Sequence, residues 1–200
     1  MFIQKENFII KCEPNDEAHM DQVDFGEIYA RICKFFDFNK KLSIKIYVIY
    51  SINEYNFLSN MKFEGWNCAF CGSNNMIYIF SPNLMGEILN RSKADWASIV
   101  AHELSHIIYG NKGFKQIPLI NEGIATYLSF YDRHKNDLNE ELASVNLFKF
   151  SQASYSNGVK LIHRIITKFG KEKLFSFLTA ANNLSEDEIN KNFALEFNIN

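Results

Sequence analysis

The sequence predicts an α+β fold, with strands in the first half of the chain and helices in the second. Two observations lead to this class, and a third indicates a single domain. Apolar and polar residues alternate within residues 42–51, which are rich in β-branched side chains and typical of a strand. From Ser92 onward the apolar residues recur at helical spacing instead. The 200 residues, 47% of them hydrophobic, are enough for one domain with a substantial core.

The first half is predicted to contain three strands and one helix. The strand NFIIKCE leads into a helix in DEAHMDQVDFGEIYARICKFF, where apolar residues have roughly helical spacing. LSIKIYVIYS is the second strand and NMIYIFSP, which a proline stops, is the third. Between them, FEGWNCAFCGSNN is rich in turn-forming residues, which indicates a loop or the mouth of a hairpin.

The second half is predicted to be helical. Ser92 followed by Asp95 forms a capping-box pattern at the start of the first helix, and Gly110 marks its end. The second helix begins near Pro118, because proline is favoured in a first turn. Three more helices are expected, the last of which opens on another capping box: SNGVKLIHRIITKFG, KEKLFSFLTAAN and SEDEINKNFALEF.

Charge and hydropathy argue against several classes of function. Lys plus Arg number 21 against 23 Asp plus Glu without long blocks of one sign, which is unlike a nucleic-acid or anionic-membrane surface. No segment approaches the roughly eighteen uninterrupted apolar residues of a membrane helix, and the amino terminus lacks the pattern of a signal peptide. We therefore expect a cytoplasmic protein whose four cysteines are free thiols.

The first predicted helix of the second half carries a metal-binding pattern, AHELSH. Because His102 and His106 are four residues apart, their side chains project from one helical face and can reach a single metal ion. Glu103 is rotated by about 100° from His102, so it would contact a bound water rather than the metal. The pattern supplies two of the three protein ligands that a catalytic zinc ion needs.

Glu122 is the candidate for the third ligand. It lies in the first turns of the next predicted helix, and the glycines and proline before it allow the chain to reverse. Zinc held by these residues would polarise a substrate carbonyl and acidify a water, whose proton Glu103 would take and pass to the leaving amine. The opposing hypothesis is an ordinary amphipathic helix whose histidines cover a polar edge.

AHELSH followed by NEGIA resembles the gluzincin branch of the zinc metallopeptidases, the thermolysin-like and aminopeptidase-like group of the peptidase MA clan. The similarity is convincing over about residues 94–128 and weaker in YSNGVKLIHRIITKFGKEKLFSFL. It implies that Glu103 is the catalytic base and that zinc is bound by His102, His106 and Glu122.

The resemblance also implies a fold and a substrate class. The fold is zincin-like, with a twisted sheet in an N-terminal lobe of about residues 1–110, an active-site helix, and a helical C-terminal lobe of about residues 111–200. The G-[AG]-M-E-N segment with which the aminopeptidases of this group grip a substrate amino terminus is missing upstream. The loop from His106 to Glu122 is also shorter than theirs. We therefore expect an endopeptidase, or a peptidase of narrow specificity, acting on a peptide or protein substrate.

Gluzincins stabilise the oxyanion with a Tyr or His from the C-terminal lobe. We predict Tyr155 for this role, since it precedes a helix in the segment that resembles the family. Its alternative role is a half-buried tyrosine that closes the core. His163, which alternates with apolar residues, and His134, at a solvated helix end, are the other candidates.

The CAFC segment, Cys68 to Cys71, invites three readings: free thiols, a structural metal site or a redox pair. By resemblance, NMIYIF corresponds to the edge strand that pairs with substrate, so a disulfide between these cysteines would alter the rim of the cleft. Two further functions also remain open. One is a zinc-holding protein that binds a partner without catalysis, which the intact Glu103 disfavours; the other is a regulatory protease with one dedicated protein target.

Overall fold

The computed structural model describes residues 1–92, 94–134, 146–149 and 154–198, without the side chains of 131–134 and 154. Its strands are β1 (Phe2–Lys5), β2 (Phe8–Lys11), β3 (Ile44–Ile49), β4 (Ala69–Gly72) and β5 (Met76–Phe80). Its helices are α1 (Glu17–Met20), α2 (Phe25–Phe36), α3 (Ile52–Ser59), α4 (Pro82–Leu89), α5 (Asp95–Asn111), α6 (Pro118–His134), α7 (Ser154–Phe169), α8 (Lys171–Ala180) and α9 (Glu186–Phe197).

The five described strands form one mixed sheet in the order β1-β2-β3-β5-β4. β2, β3 and β5 are parallel, whereas β1 and β4 are antiparallel to their neighbours and lie at the two edges. A sheet from the first half of the chain followed by helices in the second confirms the predicted α+β class. Among the described helices, none combines the length and apolar character that a membrane crossing requires.

Alternate residues of each strand point to the same side of the sheet. On one side, those of β2, β3 and β5 are apolar and buried. The residues of this face are almost completely shielded from solvent: Phe8, Ile10, Ile44, Ile46, Val48, Ile77 and Ile79. α2 covers part of the face through Phe25, whose ring centroid lies 4.9 Å from that of Phe8. α5 is anchored by Trp96, whose indole N–H donates to the carbonyl of Phe80 at 3.0 Å.

The three predicted strands are confirmed as β2, β3 and β5, but β1 and β4 were not predicted. The segment expected to be a loop or hairpin mouth contains β4, which pairs with β5 across residues 73–75. Asn74 and Asn75 both adopt left-handed conformations there, which asparagine tolerates better than most residues. The assignment of NMIYIF as the edge strand is therefore wrong, because β5 is flanked on both sides and β4 is the edge.

α5 begins with half of the predicted capping box. The Ser92 backbone N–H donates to the Asp95 carboxylate at 3.1 Å, and the helical run starts at Asp95. The helix continues through Gly110 to Asn111, so Gly110 does not end it as predicted. The left-handed glycine after the helix is Gly113, with φ of 72°.

The chain divides into two compact units, Met1–Ile107 and Ile108–Asn200. In the second unit, the predicted helix starting near Pro118 is confirmed as α6, and the three helices expected after it are α7, α8 and α9. α9 opens on a complete capping box between Ser185 and Glu188, as its sequence indicates.

α6 and α7 pack closely at a pair of glycines. A Cβ atom placed on Gly123 would lie 2.5 Å from the carbonyl oxygen of Gly158, a distance that real Cβ atoms do not reach. The two helix backbones can approach this closely only because neither position has a side chain. This contact holds α6 against α7 at Gly123, the residue that directly follows Glu122.

Candidate metal centre

Both motif histidines lie in the middle of α5, where the helix is regular. His102 is buried and His106 is half-buried, so neither imidazole is freely solvated. Their Nε2 atoms are 3.1 Å apart and their rings meet edge to face, with centroids 4.8 Å apart. The four-residue spacing thus brings the same nitrogen of each ring to one point, as the sequence predicts.

The 3.1 Å separation between the two Nε2 atoms has two physical explanations. One ring can donate its Nε2–H to the other, or both nitrogens can be unprotonated lone-pair donors to one cation. Two nitrogens that bind zinc tetrahedrally at about 2.0–2.1 Å are separated by about 3.3 Å. The spacing of the two rings is thus close to what a shared metal ion requires.

Glu122 is the fifth residue of α6 and is half-buried. One ligand atom each from His102, His106 and Glu122 lies within 4.8 Å of the other two. The set offers two imidazole nitrogens and one carboxylate oxygen, which suits zinc and several other divalent transition metals. Tetrahedral ligands of zinc stand about 3.3 Å apart, so the ligand atoms would have to approach one another by at most about 1.5 Å to share one ion. These three residues could therefore hold a metal ion.

Glu103, the predicted base, is buried at 7% exposure and lies next to a cysteine of the edge strand. The Sγ atom of Cys71 is 3.1 Å from Glu103 Oε2 and 3.2 Å from the Glu103 carbonyl oxygen. Sequence reasoning considered Cys71 only as a partner of Cys68 and missed this contact. The contact depends on β4, where the alternation of side chains places Cys71 on the face that carries Ile77, and the sequence predicted a loop in this segment.

The two cysteines of CAFC are free thiols in different environments. Cys68 is buried, and burial raises the pKa of its thiol to about 11, whereas Cys71 is exposed. Cys68 continues the ladder of β4, since its carbonyl accepts from the Phe80 N–H. The two cysteines are three positions apart in extended chain, so their side chains point to opposite faces. Their Cα atoms are then about 10 Å apart, which is too far for a disulfide. This geometry favours the hypothesis that both cysteines are free thiols. A bridge between Cys68 and Cys71 would require the strand to unfold.

The candidates for oxyanion donor lie in the second unit. Tyr155 is the second residue of α7, half-buried, and one helical turn before Gly158. His163 is also half-buried on α7, two turns further on. The side chain of His134, the last residue of α6, is outside the described part of the chain. The role of Tyr155 remains a prediction.

Comparison of the chain with protein-family models, with curated proteins and with solved structures finds no match in any of the three.

Proposed function

We propose that this protein is a zinc-dependent peptidase of the gluzincin type, with a zincin-like fold, that acts on peptide or protein substrates as an endopeptidase. One observation carries the proposal: two imidazole nitrogens and a carboxylate from a HExxH helix and the following helix approach within 4.8 Å. Three such ligands leave the fourth position of a tetrahedral zinc ion open, which distinguishes catalytic from structural zinc sites.

In this proposal His102, His106 and Glu122 hold the metal, which when bound supplies a Lewis acid for the scissile carbonyl and acidifies a water. The Glu103 carboxylate takes the proton of that water and delivers it to the leaving nitrogen. Its burial supports this role, because a carboxylate shielded from bulk solvent can pass the proton of the attacking water to the substrate without losing it to the bulk. Tyr155 is the proposed donor of a hydrogen bond to the developing oxyanion.

The decisive test replaces Glu103 with Gln, which keeps the size and shape of the side chain and removes its basicity. Zinc-loaded Glu103→Gln should bind one equivalent of metal, as the parent does, and should hydrolyse peptides about 10²–10⁴-fold more slowly. Metal content is measured by atomic emission, and cleavage by mass spectrometry on a mixture of peptides. Equal cleavage by both proteins would remove Glu103 from the mechanism.

Glu122→Ala is the matched control because it should lose metal as well as activity. A parent that binds one zinc ion but cleaves neither peptides nor proteins would instead be the non-catalytic binding protein. Cleavage of a single cellular protein by the parent, absent with Glu103→Gln, would identify the regulatory protease.

A further inference from the structure

The edge strand β4 presents one thiol to the helix that carries the proposed base. In the antiparallel register, Cys71 is opposite Ile77 and Phe70 is opposite Tyr78. Phe70 therefore lies on the other face, where its ring stacks on Tyr78 with centroids 4.8 Å apart. This stacking and the ladder to β5 fix the strand, so the Cys71 side chain is directed to the face that meets α5.

Two oxygen atoms of Glu103 lie within hydrogen-bonding distance of the Cys71 thiol, which has a single proton to donate. The Glu103 carbonyl oxygen is inside α5, where the helix ladder already uses it. The carboxylate Oε2, at 3.1 Å, is the nearer of the two and can carry a negative charge, which makes it the stronger acceptor. The thiol proton is therefore directed to the carboxylate.

We propose that Cys71 is a positioning residue for Glu103: its S–H group donates to Oε2 and so sets the orientation in which the carboxylate takes the proton of the attacking water. This inference rests on the proposed peptidase function. A hydrogen bond to one oxygen restricts the rotation of a carboxylate about its last bond, and misorientation of a base lowers the rate of proton transfer. A thiol is suited to the task because its S–H group can donate one hydrogen bond to a carboxylate oxygen.

The contact itself can be measured without any substrate. The S–H stretching band absorbs where other protein groups hardly do, and the difference between the parent and Cys71→Ala isolates the band of Cys71. Glu103→Gln replaces the charged acceptor by a neutral one, so the Cys71 band should move to higher wavenumber in that variant. An unchanged band would mean that the thiol donates to the backbone carbonyl, and would overturn the proposal.

The catalytic consequence is tested on the zinc-loaded protein with the peptide that the parent cleaves best. Cys71→Ala should lower kcat about fivefold, with KM and zinc content unchanged, because only proton transfer is affected. Cys71→Ser, whose hydroxyl also donates, should recover most of kcat. Cys33→Ala, which removes a buried thiol from α2, is the control for a general effect of losing a cysteine.

Equal kcat values for the parent and Cys71→Ala would overturn the proposal, and so would a loss that Cys71→Ser fails to reverse. A parent that cleaves no peptide overturns the proposed function instead. The infrared comparison still decides the contact between Cys71 and Glu103 in that case, so the two failures are distinguishable.

Discussion

At the scale of single residues, the phenol of Tyr55 illustrates how the first unit buries polar atoms. Its ring is inaccessible to solvent and packs against Phe80 at 5.1 Å and Phe70 at 5.4 Å between centroids. Its oxygen accepts a hydrogen bond from Asn67 Nδ2 at 2.5 Å. Burial raises the pKa of Tyr55 to about 12, because the phenolate would lose its hydration.

This shift predicts a loss of stability at alkaline pH. In the unfolded chain the phenol ionises near pH 10, whereas in the folded protein it remains neutral up to about pH 12. The stabilisation is complete below pH 10 and is lost progressively between pH 10 and 12, by about 3 kcal/mol in all. The free energy of unfolding, measured with urea at several pH values, should decrease less steeply over this range in Tyr55→Phe than in the parent.

Asn67→Ala should enlarge the alkaline loss of stability, whereas Tyr55→Phe should reduce it. The Asn67 side chain lowers the pKa of Tyr55 by donating to its oxygen. Without that donor the pKa of Tyr55 in the folded protein rises further, so the alkaline loss should extend to higher pH and be larger in total. Parallel stability curves for the parent and Tyr55→Phe would show that Tyr55 is not the group responsible.

The residues of the site also differ in how well the sequence predicted them. The approach of His102 and His106 follows from helical geometry alone, since residues four apart share a face. Glu122 required a guess about the turn between two helices, and the resemblance to a known motif supplied it. Cys71 could not be found in this way, because its contact with Glu103 joins residues 32 positions apart through a strand that the sequence did not reveal.

At the scale of elements, the crossing of α6 and α7 leaves no room for a side chain at its glycines. Gly123→Ala would place a methyl group 2.5 Å from the Gly158 carbonyl oxygen, so the helices must separate. We expect a loss of about 1–3 kcal/mol in the free energy of unfolding, the usual range for overpacking. Zinc affinity should also decrease, because α6 carries Glu122 directly before the glycine.

Gly110→Ala is the matched control for this prediction. Gly110 is helical and exposed, and a Cβ atom there would meet nothing within 4 Å. Alanine should therefore stabilise α5 by about 0.5–1 kcal/mol, since glycine costs conformational entropy in a helix. If both variants unfolded at the same denaturant concentration, the close approach at Gly123 would not matter to stability.

The elements that the sequence predicted share strong local signals. α6 begins at a proline and α9 at a capping box, and β3 alternates apolar and polar residues over most of its length. β4 has only four residues, and its Phe70 and Cys71 stand within a stretch of turn-forming residues. Its stability comes from pairing with β5 and from aromatic stacking, which are long-range effects that no local window contains.

At the scale of the whole molecule, metal binding should stabilise the folded protein. A ligand that binds only the folded state adds about 2.7 kcal/mol at a hundredfold excess over its Kd, which corresponds to about 5–10 °C in Tm for a chain of this length. Differential scanning calorimetry with and without zinc measures the shift. Glu122→Ala should show a much smaller one at the same zinc concentration.

A chelator supplies the reverse experiment, since removing the metal should return the parent to the Tm of the metal-free protein. A His102→Ala, His106→Ala double variant that kept the full zinc-dependent shift would place the ion elsewhere. The three-residue group would then not be the metal centre.

The general α+β architecture was predictable because recognisable strands occur only before Ser92, whereas the apolar residues after it recur at helical spacing. The strand order was not predictable, because it depends on which edges pair rather than on the character of each strand. The misplacement of β5 at the edge arose from this difference. The same error concealed Cys71, since the true edge strand carries it.

The distribution of the four thiols provides an internal spectroscopic probe. Cys12, Cys33 and Cys68 are buried, and Cys71 is exposed beside Glu103. A reagent that converts accessible thiols to thiocyanates would therefore label the native chain at one position, without engineered cysteines. The nitrile frequency responds to the local electric field, so a titration with zinc could be followed at the carboxylate as the ion binds.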